Sequence, residues 1–139
     1  MIEFKQLSHL DSVLTDPAAR TLHANDLTGA WVNTNRETKG IAECRIEPQG
    51  ERFVISLVGV GAKDPIVWPQ AEGELLANLD EEGGQQAVAV TASVKFSFML
   101  AETYIRLNRG VLVIVFYIRF LDNSGRSNYV TREFFSRAN

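Results

Sequence analysis

At 139 residues, the chain is long enough to form one domain with a single sizeable core. Its 45% hydrophobic and 22% charged residues are typical of a soluble globular protein, and a formal net charge of −3 argues against binding to nucleic acid or to an anionic membrane. The single cysteine, Cys44, excludes an intrachain disulfide and any CxxC metal or redox site. Because the sequence shows neither a signal peptide nor an apolar run of the roughly 20 residues that span a membrane, we expect a cytoplasmic protein.

Residues 1–26 carry helix signals and differ from the rest of the chain. Ser8 begins a Ser-x-x-Asp motif and Pro17 follows an aspartate, and both patterns are typical of the first turn of a helix. The apolar residues of a narrow stripe recur every four positions: Leu10, Leu14 and Ala18. We therefore predict an N-terminal arm of one or two short helices that lies on a barrel of residues 27–139 or closes one of its ends. Both histidines of the chain fall in this arm without a paired ligand or nucleophile, so we interpret them as solvent-facing polar residues.

From Gly29 onward the hydrophobic pattern has a period of two, which is typical of antiparallel strands. Turn residues at 48–50 (Pro-Gln-Gly) and 108–110 (Asn-Arg-Gly) separate the apolar runs. The predicted strands are 29–35, 40–48, 51–60, 71–79, 85–94, 96–108, 110–121 and 127–137. A meander of about eight strands usually hides its edges by closing, so we predict an all-β, antiparallel up-and-down barrel. Residues 85–108 contain no obvious turn and leave the strand count open by one or two.

The strand 110–121 is unusual because it is apolar on both faces. By contrast, the strand 40–48 alternates, and Cys44 falls on its apolar face as a small core residue. A barrel strand with a solvated outer face should not be apolar throughout. Either the N-terminal arm or a second subunit should therefore cover 110–121. We favour a subunit interface, because exposed apolar patches usually mark interfaces.

The first strand begins with the sequence Thr-Gly-Ala-Trp-Val-Asn at residues 28–33. This Thr-Gly-x-Trp-x-Asn pattern resembles the opening of the avidin and streptavidin barrels, and its Gly-x-Trp part is shared by the lipocalins and their relatives, collectively the calycins. The resemblance implies a calycin-like barrel in which Trp31 plugs the base and Asn33 hydrogen-bonds the polar head of a ligand. It also implies a basic residue of the last strand against the tryptophan, and Arg132 is the candidate. Several tryptophans wall an avidin-like site, whereas this chain has only two, so the resemblance does not extend to biotin.

Two further groups of residues could contribute to a ligand site. Trp68 lies between two prolines in the irregular stretch 60–70, where it could close the barrel mouth as a lid or pack over the rim and seal the core. The late strands carry tyrosines and arginines: Tyr104, Arg106, Tyr117, Arg119, Tyr129 and Arg132. These polar side chains could converge inside an apolar cavity or form an exposed cross-strand ladder.

The principal functional hypothesis is the non-enzymatic binding of a small, partly apolar molecule inside the barrel. In this hypothesis Trp31 forms the floor, and Asn33 and Asn35 orient a polar head. The other predicted ligand-binding residues are Trp68 at the mouth, Tyr104, Tyr117 and Arg119 on the wall, and Arg132 at the base. The sequence contains no catalytic, metal-binding or phosphate-binding motif, so we predict no cofactor and leave enzymatic activity open.

Two alternatives remain open at this point. The protein could be a structural or interaction protein, with a filled barrel that homo-oligomerises through the 110–121 strand. It could also be a small isomerase or cyclase that confines a reactive apolar substrate, although no sequence feature identifies one. The expected partners are a small-molecule ligand and further copies of the same chain, with no nucleic acid and no membrane.

Overall fold

The computed structural model describes residues 24–77 and 86–138, and these residues form nine β-strands and no helix. The strands are β1 Gly29–Asn33, β2 Ile41–Gln49, β3 Arg52–Gly59, β4 Ile66–Val67, β5 Ala71–Ala77, β6 Ala87–Lys95, β7 Met99–Asn108, β8 Val111–Phe120 and β9 Tyr129–Arg137. Within these ranges, therefore, no helix is long and apolar enough to cross a membrane. The predicted helical arm lies outside the described residues except for 24–26, which lead into a turn.

Eight of the strands form a closed antiparallel barrel. Each pairs with its neighbour in the order β1, β2, β3, β5, β6, β7, β8, β9, and β9 returns to pair with β1. The short strand β4 lies outside this order and extends the sheet at the end of β3, where Val67 pairs with Val58. The predicted all-β, up-and-down architecture is confirmed, and all eight predicted strands overlap a strand of the barrel.

The hairpin turns explain why some strand ends could be predicted and others could not. Between β7 and β8, Arg109 and Gly110 have φ values of 52° and 82°, as a two-residue type I′ turn requires. Between β6 and β7, by contrast, the turn consists of Phe96, Ser97 and Phe98 and is held by a hydrogen bond from Phe96 N to Met99 O (2.8 Å). This turn contains no glycine, proline, asparagine or aspartate, and a single serine between two phenylalanines is a weak turn signal, so the sequence of 85–108 left the turn unresolved.

The interior of the barrel is filled with side chains. Alternate residues of β8 are buried, and β3 and β7 show the same alternation. The largest fully buried side chains are Trp31, Phe116, Phe135, Leu27, Ile46, Ile55, Leu57, Ile105, Leu112, Ile114, Val90 and Val94. A hollow barrel would leave water-accessible area on such residues, so these side chains form a packed core. Cys44 belongs to it as predicted, and burial raises the pKa of its thiol to about 12.

Trp31 closes the base of the barrel. Its side chain is 1% exposed, and its indole Nε1 donates a hydrogen bond to Leu27 O (3.0 Å). The guanidinium of Arg137 lies over the indole ring, 4.3 Å from the ring centroid, and also donates to the carbonyls of Asp26 (2.7 Å) and Thr28. The basic partner of the tryptophan thus comes from the last strand, as expected, but it is Arg137 and the assignment to Arg132 is wrong.

Gly29 makes this arrangement possible. Its φ of +114° lies in a region that residues with a side chain rarely adopt, and a Cβ atom there would lie 2.8 Å from Arg137 Nη1. The Gly-x-Trp pattern therefore combines two requirements of the base: a glycine where the chain turns into β1, and a large aromatic side chain under the core.

Candidate functional site

The end of the barrel opposite Trp31 forms a mouth bordered by loops. These loops are 34–40 after β1, 60–70 after β3, the turn 96–98 and the stretch 121–128 before β9. Loop 121–128 is ordered by its own contacts, since Arg126 pairs with Asp122 (2.8 Å) and lies over the ring of Phe120, 4.1 Å from its centroid. The mouth therefore presents a defined surface.

The mouth contains an open cleft with a volume of about 210 Å³. Its lining combines an apolar part, a polar part and two glycines. The apolar side chains are Ile41, Val60, Ile66, Trp68, Phe116 and Ile118; the polar side chains are Lys39, Tyr129, Thr131 and Glu133; the glycines are Gly40 and Gly59. A mostly apolar cleft with a few convergent polar groups is the usual form of a small-molecule site.

Glu133 is the central polar residue of the cleft. It pairs with the buried residue Ile114 and therefore projects from the inner face of β9. Its Oε1 accepts hydrogen bonds from Asn33 Nδ2 (3.0 Å) and Thr38 Oγ1 (2.9 Å). Its Oε2 receives no hydrogen bond from the described residues, and the side chain borders the cleft. Among the described residues, one oxygen thus fixes the carboxylate while the other has no donor.

Asn33 holds this carboxylate and the adjoining loop together. Its Nδ2 donates to Ile41 O (2.8 Å) as well as to Glu133, and its Oδ1 accepts from Asn35 N (2.8 Å). Both amide hydrogens are thereby used. Asn35 in turn accepts a hydrogen bond from Glu37 N (3.0 Å). The two asparagines predicted to orient a ligand head thus make hydrogen bonds within the protein, and they order the surroundings of Glu133.

Trp68 covers part of the mouth from the side of β4. Its ring packs edge-on against Phe96 and Phe116, with centroid distances of 5.0 and 5.8 Å. Its backbone is fixed by a hydrogen bond from Trp68 N to Leu57 O (3.0 Å). The side chain is only partly buried, and its Nε1 has no acceptor among the described residues. Trp68 therefore packs over the rim of the core and, at the same time, forms a wall of the cleft.

Gly40 and Gly59 leave the space between these groups open. A Cβ at Gly40 would lie 2.9 Å from Glu133 Oε1, and one at Gly59 would lie 3.2 Å from Trp68 Nε1. The two glycines are adjacent across β2 and β3, since a Cβ at Gly59 would lie 3.6 Å from Gly40 O. Neither glycine nor Glu133 was among the residues predicted from sequence to bind a ligand, because their role depends on pairing between distant strands.

The tyrosines and arginines predicted to line the barrel wall lie outside it. On β7 and β8 the residues that point inward are the buried ones, whereas Tyr104, Tyr117 and Arg119 occupy the alternate positions. Tyr104 and Tyr117 border a shallow groove of the outer surface. Arg132 also points outward, with its guanidinium 5.5 Å from the ring centroid of Phe134. The prediction that these residues form an inner wall is therefore wrong.

The structure divides the remaining predicted residues between the two ends. Trp31 lies at the base, away from the cleft, while Trp68, Asn33 and Asn35 lie at or beside the mouth. Among the described residues, no three metal-ligating side chains are grouped in a way that could hold a metal ion.

No protein family, curated protein or solved structure matches the chain. The closed eight-stranded barrel itself is compatible with a calycin-like fold.

Proposed function

We propose that this protein binds a small, partly apolar molecule at the mouth of its barrel without converting it chemically. The observation that carries the proposal is the cleft in which Glu133, whose Oε2 has no donor among the described residues, and the indole of Trp68 border an apolar surface. Groups of this kind can orient a polar head while the apolar wall contacts the rest of the ligand.

The proposed position of the ligand differs from the one expected from sequence. Phe116 and Ile114 are buried below the cleft and leave no room for a molecule in the centre of the barrel. The ligand would therefore stay at the mouth, above Phe116 and beside Trp68. A volume of about 210 Å³ is below the range of roughly 300–1,000 Å³ that drug-sized ligands occupy, so a small metabolite fits better than a fatty acid or a steroid.

The test is native mass spectrometry of freshly purified protein, with a denaturing run on the same sample. We expect a mass excess that disappears on denaturation. The Gly59→Val variant, which places a branched side chain against Trp68, should lack the excess, and Trp68→Ala should weaken it. The control Tyr117→Ala, on the outer surface, should retain it. The proposal would be overturned if wild-type protein showed no mass excess even after incubation with a metabolite extract. It would also be overturned if Gly59→Val and Trp68→Ala both kept the full mass excess.

We propose as a second candidate function that the outer face of β8 and β9 mediates self-association. Outward residues of the two strands pair directly, Val113 with Phe134 and Tyr117 with Val130. Three of these four are clearly exposed, with Tyr117 at 56%, Val130 at 61% and Phe134 at 43%. An apolar face of this extent favours an interface.

A second copy of the chain is the partner that this face suits best. Glu102 flanks the apolar residues on the β7 side and Arg132 flanks them on the β9 side. A two-fold axis parallel to β8 would place β7 of one copy against β9 of the other, so that these opposite charges approach each other. Sedimentation velocity should then show a dimer that Val113→Arg converts to a monomer, while Val60→Arg at the mouth leaves it intact. A monomeric wild-type protein would exclude this candidate.

A further inference from the structure

We infer that the molecule bound at the mouth is an amine, and that its protonated nitrogen is held by Oε2 of Glu133. This inference rests on the proposed function and adds the chemical class of the ligand. Its basis is the carboxylate of Glu133, which neighbouring residues orient through hydrogen bonds to one of its two oxygens.

The hydrogen bonds of the Glu133 carboxylate involve only one of its oxygens among the described residues. Asn33 and Thr38 both donate to Oε1, which orients the group and leaves Oε2 without a donor among residues 24–77 and 86–138. An ionised carboxylate can only accept hydrogen bonds, so its natural partner is a donor. An ammonium adds the Coulomb attraction between opposite charges to this hydrogen bond, which favours it over an alcohol or amide.

The lysine and arginines near the cleft do not neutralise Glu133. Lys39 also lines the cleft, but it is exposed and forms no ion pair with Glu133 within 4.0 Å. Arg132, the nearest arginine along the chain, points to the outer surface, and Arg126 is engaged by Asp122. Within the described part of the chain, the negative charge of Glu133 therefore has no positive partner.

The space next to Oε2 is bordered by two glycines and by apolar side chains. Gly40 and Gly59 carry no side chain there, and any Cβ at Gly40 would lie 3.0 Å from Oε2. Phe116, Ile118 and Trp68 border the same space with apolar surface. The ligand that satisfies both features has an ammonium group on a short apolar body, such as an arylalkylamine or a branched aliphatic amine.

The experiment compares three probes of similar size: phenethylamine, 2-phenylethanol and 3-phenylpropionate. Their binding to wild-type protein is measured by isothermal titration calorimetry, and two-dimensional NMR locates the perturbed residues at the mouth. We expect phenethylamine to bind at least about tenfold more tightly than the alcohol, and the acid to bind most weakly. The amine affinity should fall with rising salt, whereas that of the alcohol should not.

Two variants separate the charge of Glu133 from other effects. Glu133→Gln keeps the shape of the side chain and should abolish the preference for the amine, while Glu74→Gln, on the outer face of β5, should leave the preference unchanged. If Glu133→Gln does not fold, the salt dependence in wild-type protein decides the question. Equal binding of amine and alcohol would overturn the amine inference and leave the mouth site standing. Failure of all three probes to bind would overturn the inference, and the metabolite-extract experiment would then decide the proposed function separately.

Discussion

Replacing Trp31 with phenylalanine should destabilise the protein far more than the same replacement at Trp68. Trp31 is 1% exposed, and its Nε1 is hydrogen-bonded to the carbonyl of Leu27, a residue that is itself fully buried. Phenylalanine would leave that carbonyl unpaired, at a cost of about 1–3 kcal/mol. The smaller ring would also leave a cavity under the core, which adds about 1 kcal/mol. We therefore expect a total loss of about 2–4 kcal/mol in the free energy of unfolding.

Trp68 provides the matched control at the other end of the barrel. Its Nε1 makes no hydrogen bond to the described residues, and its ring is only partly buried. Phenylalanine can keep the edge-on contacts with Phe96 and Phe116. The expected loss is therefore below about 1 kcal/mol. The same change of side chain thus tests whether the two tryptophans differ in the way that the structure indicates.

Urea unfolding followed by far-UV circular dichroism measures both effects. With an m value of about 2 kcal/mol/M, the loss at Trp31 would lower the midpoint by about 1–2 M, and the loss at Trp68 by less than about 0.5 M. The m value itself should be the same in all three proteins. Equal midpoint shifts for the two variants would refute the distinction between a hydrogen-bonded base plug and a partly exposed mouth residue.

Two further predictions concern Cys44 and the arginines of β9. Burial raises the pKa of Cys44 from its ordinary value of 9.0 to about 12. The free energy of unfolding should therefore be unaffected by this thiol below pH 9.0 and should decrease as the pH rises from 9.0 towards 12. Native protein should accordingly resist Ellman's reagent at about pH 8 and react only when unfolded; rapid native labelling would contradict this. Arg137→Gln should lower the free energy of unfolding by about 1–2 kcal/mol, whereas Arg132→Gln should lower it by less than about 0.5 kcal/mol. Urea titration measures both losses. A larger loss for Arg132→Gln than for Arg137→Gln would restore Arg132 as the partner of Trp31.

The barrel could be predicted from sequence because its signals are local. Period-two alternation and turn residues such as Arg109 and Gly110 depend only on neighbouring positions, and they located all eight barrel strands. The turn at Phe96–Phe98 and the short strand β4 lacked such signals. The former consists of residues that also suit a strand, and the latter is held only by its pairing with the end of β3.

The candidate site was harder to predict because it depends on which face of each strand points inward. On β9, Val130 and Phe134 point outward while Thr131 and Glu133 point inward, which reverses the usual distribution of apolar and polar residues. The mouth lets an inward carboxylate reach solvent, and the exposed valine and phenylalanine belong to the apolar outer face. Neither the solvent access at the mouth nor the apolar outer face can be recognised from the sequence of β9 alone.

The placement of Asn33 links the base of the barrel to its mouth. Trp31 and Asn33 project from the same face of β1, two residues apart, because side chains on one face of a strand recur every second residue. The first is fixed below the core by Leu27 and Arg137, and the second reaches Glu133 across the β1–β9 pairing. Burying part of a carboxylate is costly unless it is hydrogen-bonded, and Asn33 supplies one of those bonds from a strand whose other end is rigidly held. The Trp-x-Asn spacing thus couples the stable base to an oriented carboxylate at the mouth.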